Sequence, residues 1–329
     1  MDNKFHTNLI VSSSPHIVTE SDTTRLMGTV LLALAPAWIA SIYIFGLRAL
    51  LLSVVCVAAS VLFEYAYNAI THKKQTVGDL SAALTGLLIA FNIPANFPFW
   101  QAIIGCLFAI VVVKQLFGGI GKNFSNPAIT ARIFLFISFS ANMSTWPVTR
   151  LAGATDATTG PTPLATYAEL RNAGNIDWSQ LPSLGQLLLG FHGGSTGEVC
   201  AIALIIGGIY LIVRKVISPV IPCAFIGTVF VLGCIMTGSL YGGLFHALTG
   251  GVLLGAFFMA TDYVTSPKLP LGQLVFGLGC GIITMCIRQY GSYPEGVSFS
   301  ILLMNLCTPL LNNLSYKFYL KEGGAKNGK

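Results

Sequence analysis

Glu64, Lys114, Arg132, His246 and Asp262 stand inside, or at the edge of, long apolar runs. An ionised side chain in hydrocarbon is expensive, so each is a functional candidate by default. Glu64 is the best placed for handling an ion or a proton, close to the end of its run. Lys114 and Asp262 lie near enough to span ends to reach interfacial water, and His246 reads as an interior hydrogen bonder. A different chemistry is available in the stretch Gly153-Ala154-Thr155-Asp156-Ala157-Thr158-Thr159-Gly160-Pro161-Thr162-Pro163-Leu164-Ala165. Hydroxyls set among turn formers make an exposed segment suited to presenting a side-chain oxygen to a modifying enzyme, although these residue types alone specify no more than a surface loop. The eight cysteines, Cys56, Cys106, Cys200, Cys223, Cys234, Cys280, Cys286 and Cys307, include no Cys-x-x-Cys pair. That spacing argues against a self-contained zinc or iron–sulfur site. They read as small apolar fillers of a helix bundle, with a thiolate shared with a partner subunit left open.

The elements that must carry these residues are membrane spans. Only 9% of the chain is charged and 54% is hydrophobic, against about 25% charge in a soluble domain, and the mean hydropathy is +0.73. The first 25 residues are polar, which argues against a signal or transit peptide. Ten apolar spans are predicted, at Leu26–Phe45, Ala49–Ile70, Leu80–Ile93, Phe97–Phe117, Pro127–Met143, Val199–Val213, Val220–Thr237, Leu244–Ala260, Leu271–Ile287 and Val297–Leu314. The third and eighth are short or interrupted by glycine.

The formal charge of +6 comes from Lys and Arg concentrated in loops and termini, which speaks for membrane orientation and against nucleic-acid binding. With the N-terminus inside, Lys4, Arg25, Lys73, Lys74, Lys114, Lys122, Arg214, Lys215, Lys268, Lys317, Lys321, Lys326 and Lys329 fall on the cytoplasmic side, leaving Arg48, Arg150, Arg171 and Arg288 outside. Both termini are therefore expected in the cytoplasm, and the long loop Ser144–Glu198 on the outer face. The expected organisation is a cytoplasmic segment (1–25), a first five-helix unit (26–143), the external loop (144–198), a second five-helix unit (199–314) and a cytoplasmic tail (315–329).

Ala83-Leu84-Thr85-Gly86-Leu87-Leu88-Ile89-Ala90-Phe91 reappears, with a small insertion, as Ala247-Leu248-Thr249-Gly250-Gly251-Val252-Leu253-Leu254-Gly255-Ala256-Phe257. The copies fall five spans apart, so the second traverses the membrane in the opposite sense, as in an inverted five-plus-five repeat. Interrupted helices at matching positions in such folds frame a site near the midplane. On that basis Thr85, Gly86, Asn92 and Pro94 are expected to face Thr249, Gly250, Gly251 and Asp262. Glycines that only let helices pack closely are the structural alternative.

Asp156-Ala157-Thr158-Thr159-Gly160-Pro161-Thr162 resembles the flavinylation sequence Asp-x-x-Ser/Thr-Gly-Ala-Thr, with Asp156, Thr159 and Gly160 at its fixed positions and Thr162 at the acceptor. Pro161 departs from the usual alanine, and an extended loop tolerates it. Pro163-Leu164-Ala165, Gly118-Gly119, Gly121, Asn123-Phe124, Asn126-Pro127-Ala128, Ala260-Thr261-Asp262 and Thr265-Ser266-Pro267 extend the likeness over nearly the whole chain. Together they resemble the family comprising the D subunit of Rnf ion-translocating ferredoxin:NAD oxidoreductases and the B subunit of sodium-translocating NADH:quinone reductases. The short N-terminal segment and compact length favour the former branch.

The resemblance implies a membrane flavoprotein subunit that relays electrons between flavins and couples their passage to Na⁺ or H⁺ movement. FMN would be joined by a flavin transferase to Thr162 through a phosphoester. Partner subunits (A, B, C, E and G) would supply the ferredoxin and NAD sites and the iron–sulfur clusters, consistent with the absence of a nucleotide-binding glycine motif in this chain. A second, non-covalent flavin, riboflavin-like, is implied among the helices, with Gly86, Asn123, Asn126, Pro127, Ala128 and Asp262 as candidates. Glycine admits a flat ring and Asn satisfies ring carbonyl and N–H groups, while Asn126-Pro127 also reads as a helix N-cap followed by proline. Glu64 and Asp262 are the ion-coupling candidates. A small-solute permease or a purely structural scaffold is the competing reading, and neither has a use for a covalent redox dye.

Overall fold

The computed structural model describes residues 22–147, 159–174, 177–291, 293 and 295–326, with backbone alone for 320–326. The polar start of the chain, and Asp156 and Thr158 of the loop motif, lie outside the described residues. Regular structure among the described residues is helical, joined by one isolated antiparallel bridge between Pro147 and Thr159.

α1 (Thr23–Phe45) and α2 (Leu47–Ile70) are long and meet at Gly46, whose φ of 78° makes the turn. They are followed by α3 (Ser81–Phe91), α4 (Phe99–Gln115), α5 (Pro127–Ser138) and the short α6 (Ser140–Met143). The long loop carries α7 (Pro163–Asn172) and α8 (Leu184–Leu189). The second half contains α9 (Ala201–Val213), α10 (Val220–Thr237), α11 (Leu240–Leu248), α12 (Val252–Met259), α13 (Pro270–Tyr290) and α14 (Val297–Lys326). In hydrocarbon every backbone polar group must be satisfied internally, which is why apolar sequence of this kind resolves into helices.

α1, α2, α10, α13 and α14 are each long and apolar enough to cross a membrane. α11 and α12 make a sixth candidate span as a pair bent by 62°, while α3, α4, α5 and α9 are shorter apolar helices. Large apolar side chains such as Ile39, Tyr43, Leu62, Val213, Ile235 and Leu310 point outward from these helices, as they must where the surrounding solvent is lipid. The chain is a multi-pass, all-α membrane protein. α2 packs on α3 and α4, α10 packs on α11 and α13, α1 meets α9, and α5 meets α14.

The two glycine interruptions read from the repeat are of different kinds. Gly250 and Gly251 have φ of 66° and 71° and break the helix between α11 and α12. Gly86 is an ordinary helical residue inside an unbroken α3. A Cβ there would lie 2.6 Å from the Cys56 carbonyl oxygen and 2.8 Å from Val57 Cα, so this glycine exists to let α3 lie against α2 and takes no part in facing the second half. Gly86→Ala is expected to lower stability by about 1–3 kcal/mol, since backbone cannot yield as a flexible side chain does. A fall in the thermal midpoint of the detergent-solubilised protein tests this, and an unchanged midpoint would refute it.

Candidate functional site

At the loop end of the bundle α5, the turn before α14 and the segment 159–162 enclose a cavity of about 640 Å³. Arg132 and Glu295 form its charged wall, Phe136, Trp146, Tyr293 and Phe299 its aromatic wall, and Thr159, Gly160, Pro161 and Thr162 its polar rim. The rim is pinned by Gly160 N–H donating to the Trp146 carbonyl at 3.1 Å. Thr162 is the N-cap of α7, its Oγ1 accepting from Ala165 N–H at 3.2 Å, with Pro163 in the first helical position. That placement follows from sequence, since threonine before proline is a strong helix start. Thr162 is only 5% exposed and its wall faces the cavity. The expectation of a freely presented side chain is thus corrected: Thr159 and Pro161 are exposed, and Thr162 is turned inward.

Behind this wall lies a buried charge cluster. Arg132 pairs with Glu295 and donates through Nη1 to Asn92 Oδ1 at 3.1 Å. Arg288, 2% exposed, donates to the carbonyls of His246 at 2.6 Å, Thr249 at 2.8 Å and Gly250 at 3.3 Å, and through Nε to the Glu295 carbonyl at 3.2 Å. Its guanidinium therefore caps the carbonyl end of α11, while Glu198 faces Gly251 at the start of α12. Each end of the broken helix meets the charge its dipole favours. Arg288 is not an outer-surface charge, as its position near a span end suggested, but an internal cap. His246 is likewise corrected: it is 1% exposed, neither ring nitrogen has a partner among the described residues, and it packs edge-on against Tyr167 with centroids 4.8 Å apart.

At the opposite end of the bundle a second, smaller cavity of about 110 Å³ is lined by Lys114, Asn123, Asn126, Pro127, Asp262 and apolar residues of α1, α3 and α12. Asn126 caps α5, accepting from Ala128 N–H at 3.0 Å, and donates to the Met259 carbonyl at 3.1 Å, stitching the two halves together. Burial pushes the Asp262 carboxyl up, and the Thr265 hydroxyl, donating to it at 3.0 Å, pulls it back. Four of the six candidates for a second flavin thus share one cavity, whereas Gly86 faces α2 and Ala128 is buried under its own cap. The space is below the roughly 300–1,000 Å³ of ligand pockets, so a flavin ring does not fit it as it stands. Asp262 also lies apart from the Gly250-Gly251 break, which abuts Leu164, Arg288 and Glu198 instead.

Glu64 lies beside this second cavity and is fully buried. Lys114 Nζ reaches both its carboxylate oxygens at 2.9 Å, Gln115 Nε2 donates at 2.9 Å and Thr76 Oγ1 at 2.7 Å. Consecutive residues do not normally face one way on an α-helix. Here both act on Glu64 because α4 is π-helical over Phe108–Gln115, a distortion common at functional sites. Lys114 is 2% exposed, so it does not reach interfacial water. Among the described residues no group of three or more His, Cys, Asp or Glu is placed to hold a metal ion.

The sequence profile of the NQR2, RnfD, RnfE family matches residues 10–319. The chain belongs to this family. It is similar to the D subunit of the Na⁺-translocating ferredoxin:NAD⁺ oxidoreductase complex of Acetobacterium woodii, with 46% identity over 94% of both chains. It is 39% identical to the D subunit of the proton-translocating ferredoxin:NAD⁺ oxidoreductase complex of Clostridium ljungdahlii, over 93% of this chain and 94% of the relative. It is 36% identical to the D subunit of an ion-translocating oxidoreductase complex of Stutzerimonas stutzeri, over 89% and 91%. Relatives named for sodium and for protons match over the same extent, so family membership does not select the ion.

The sequence pattern marks out neither Glu198 nor Glu295, and it marks Arg288 only as an outer-surface charge. Glu198 and Glu295 precede the first residues of α9 and α14 and resemble loop carboxylates, and Arg288 ends its helix. The only available signal was that all three border apolar spans.

Proposed function

We propose that this chain is the D subunit, a membrane flavoprotein, of an ion-translocating ferredoxin:NAD oxidoreductase complex, with FMN held through a phosphoester on Thr162. The observation that carries this reading is the position of Thr162, the last threonine of the motif, in the wall of a 640 Å³ cavity with Arg132 in the same wall. The residues present fit the group. The volume falls within the range of ligand pockets, four aromatic rings offer flat apolar surface, and the start of α7 together with Arg132 favours a phosphate. When bound, the flavin supplies one-electron and two-electron redox chemistry that no side chain here provides. The chain's own part is to orient the ring and hold counter-charge. Fluorescence of this chain under ultraviolet light after boiling and denaturing electrophoresis tests the covalent link, and a dark band would defeat it.

The packing of α1 on α9 and α5 on α14, elements at matching places in the two halves, supports an inverted five-plus-five repeat. Asp262 and the Glu64–Lys114 pair, both at the second cavity, are the candidates for coupling to Na⁺ or H⁺. The Lys and Arg bias supports cytoplasmic termini in the cell membrane and an external loop. Cysteine introduced at the exposed Ser179 should react with a membrane-impermeant maleimide in intact cells. Labelling only after the membrane is opened would invert the orientation and move the flavin to the other side.

A further inference from the structure

Glu198 is 7% exposed, and its two carboxylate oxygens are treated differently. Oε1 accepts from Ser195 N–H at 3.1 Å, whereas Oε2 has no hydrogen-bond partner among the described residues. A buried carboxylate oxygen left without a donor is costly. Its neighbour across Gly251 is Arg132: a methyl group at Gly251 would stand 2.9 Å from Glu198 Oε2 and 3.7 Å from Arg132 Nη1. Gly251 is required by its φ of 71°, and the same lack of a side chain leaves the space between guanidinium and carboxylate open. Arg132 has five N–H donors and uses Nη2 on Glu295 and Nη1 on Asn92. A turn of its side chain toward Gly251 would serve Glu198 instead.

The charged and titratable groups around this pair come from each side. Arg132 lies on α5, Arg288 on α13, Glu295 before α14, Tyr293 beside Glu295 in the cavity wall and His192 in the loop of Glu198 itself; His246, with Tyr167 packed on it, and Arg171 lie behind Arg288. α3 and α12, which also pack here, contribute no titratable side chain. With both carboxylates ionised, Arg132 and Arg288 are already matched by Glu198 and Glu295, so a negative charge added to the adjoining cavity competes with these carboxylates for Arg132. Glu295 lines that cavity with 22% of its side chain exposed, giving water access to the pair.

We propose that Glu198 and Glu295 share one exchangeable proton across Arg132, and that this site binds the proton when negative charge enters the cavity beside it. The proton comes from water through the cavity mouth and forms an O–H bond on a carboxylate oxygen, while Arg132 turns to the carboxylate that stays ionised. The electron it balances comes from ferredoxin, the complex's donor, and the proton returns to water when the electron passes on toward NAD. Burial supports this by pushing the Glu295 carboxyl up to about 7, with Arg132 pulling it down, Glu198 pushing it further up and Arg288 pulling it down. The coupling half of the proposal rests on the cavity holding the flavin; the proton site itself does not.

Infrared difference spectroscopy of the detergent-purified complex separates the two. Between about pH 5 and about pH 9, a range that brackets a raised carboxyl, the native complex should lose a protonated-carboxyl stretch as pH rises. Glu295→Gln should lack that band, Glu198→Gln should move its loss to lower pH because the Glu198 charge pushes the Glu295 carboxyl up, and Thr162→Val should keep it. Reduction with dithionite should raise the same band at fixed pH in the native complex and not in Thr162→Val. Identical pH-difference spectra for the native complex, Glu295→Gln and Glu198→Gln would overturn the proton site. A native complex with FMN on Thr162 but no reduction-induced band would overturn the coupling. Thr162 without FMN would instead defeat the flavin reading, with the pH-induced band still deciding the proton site.

Discussion

Thr162→Val is expected to reduce covalent flavin on this chain to background and to lower ferredoxin-dependent NAD reduction by about tenfold or more, because the cofactor rather than the protein carries the redox chemistry. A phosphoester needs a side-chain oxygen, and valine keeps the branched shape without one. The variant also loses the N-cap of α7, a cost of about 1 kcal/mol, since Oγ1 accepts from Ala165 N–H. Thr162→Asn separates the two effects: its amide oxygen restores the cap but cannot form the ester. Thr162→Ser should retain some flavin. Flavin fluorescence and turnover in the assembled complex check these outcomes, and wild-type fluorescence in Thr162→Val would sink the assignment.

Glu64→Gln or Lys114→Met alone should destabilise the protein by about 3–5 kcal/mol, because each leaves a buried charge without its partner. The pair is buried, with side chains 0% and 3% exposed and two contacts of 2.9 Å. Glu64→Gln with Lys114→Met should regain most of that loss, since a buried ion pair is often no better than well-packed neutral groups. A double variant as unstable as the sum of the singles would contradict this. The coupling role adds a second expectation: the double variant should assemble yet transport fewer ions per electron. Undiminished transport in proteoliposomes would leave the pair as a packing feature.

The apolar elements were legible because span length and hydrophobicity are local properties. Each predicted apolar run contains a helix, five or six of which are long and apolar enough to cross a membrane, and the glycine interruption read at Gly250 and Gly251 falls where the chain bends. What a glycine does was less legible. Gly86 and Gly250 occupy matching places in the recurring Ala-Leu-Thr-Gly sequence, but only the backbone path tells a close-packing glycine from a helix break. The loop motif could be recognised, but the burial of Thr162 could not, because the cavity wall it joins is built by Arg132, Glu295 and Phe299 from distant parts of the chain. Arg288 and Glu198 were missed for the same reason. Their role is to meet the ends of a broken helix, and that juxtaposition is created by tertiary packing.

The most direct test of the central claim is peptide mass spectrometry of the native loop, cut from the purified complex without prior dephosphorylation. The mass of FMN is expected on the peptide containing Thr162, with fragment ions placing it on that residue rather than on Thr158, Thr159 or Thr166. An unmodified Thr162, or FMN on Thr159, would contradict it.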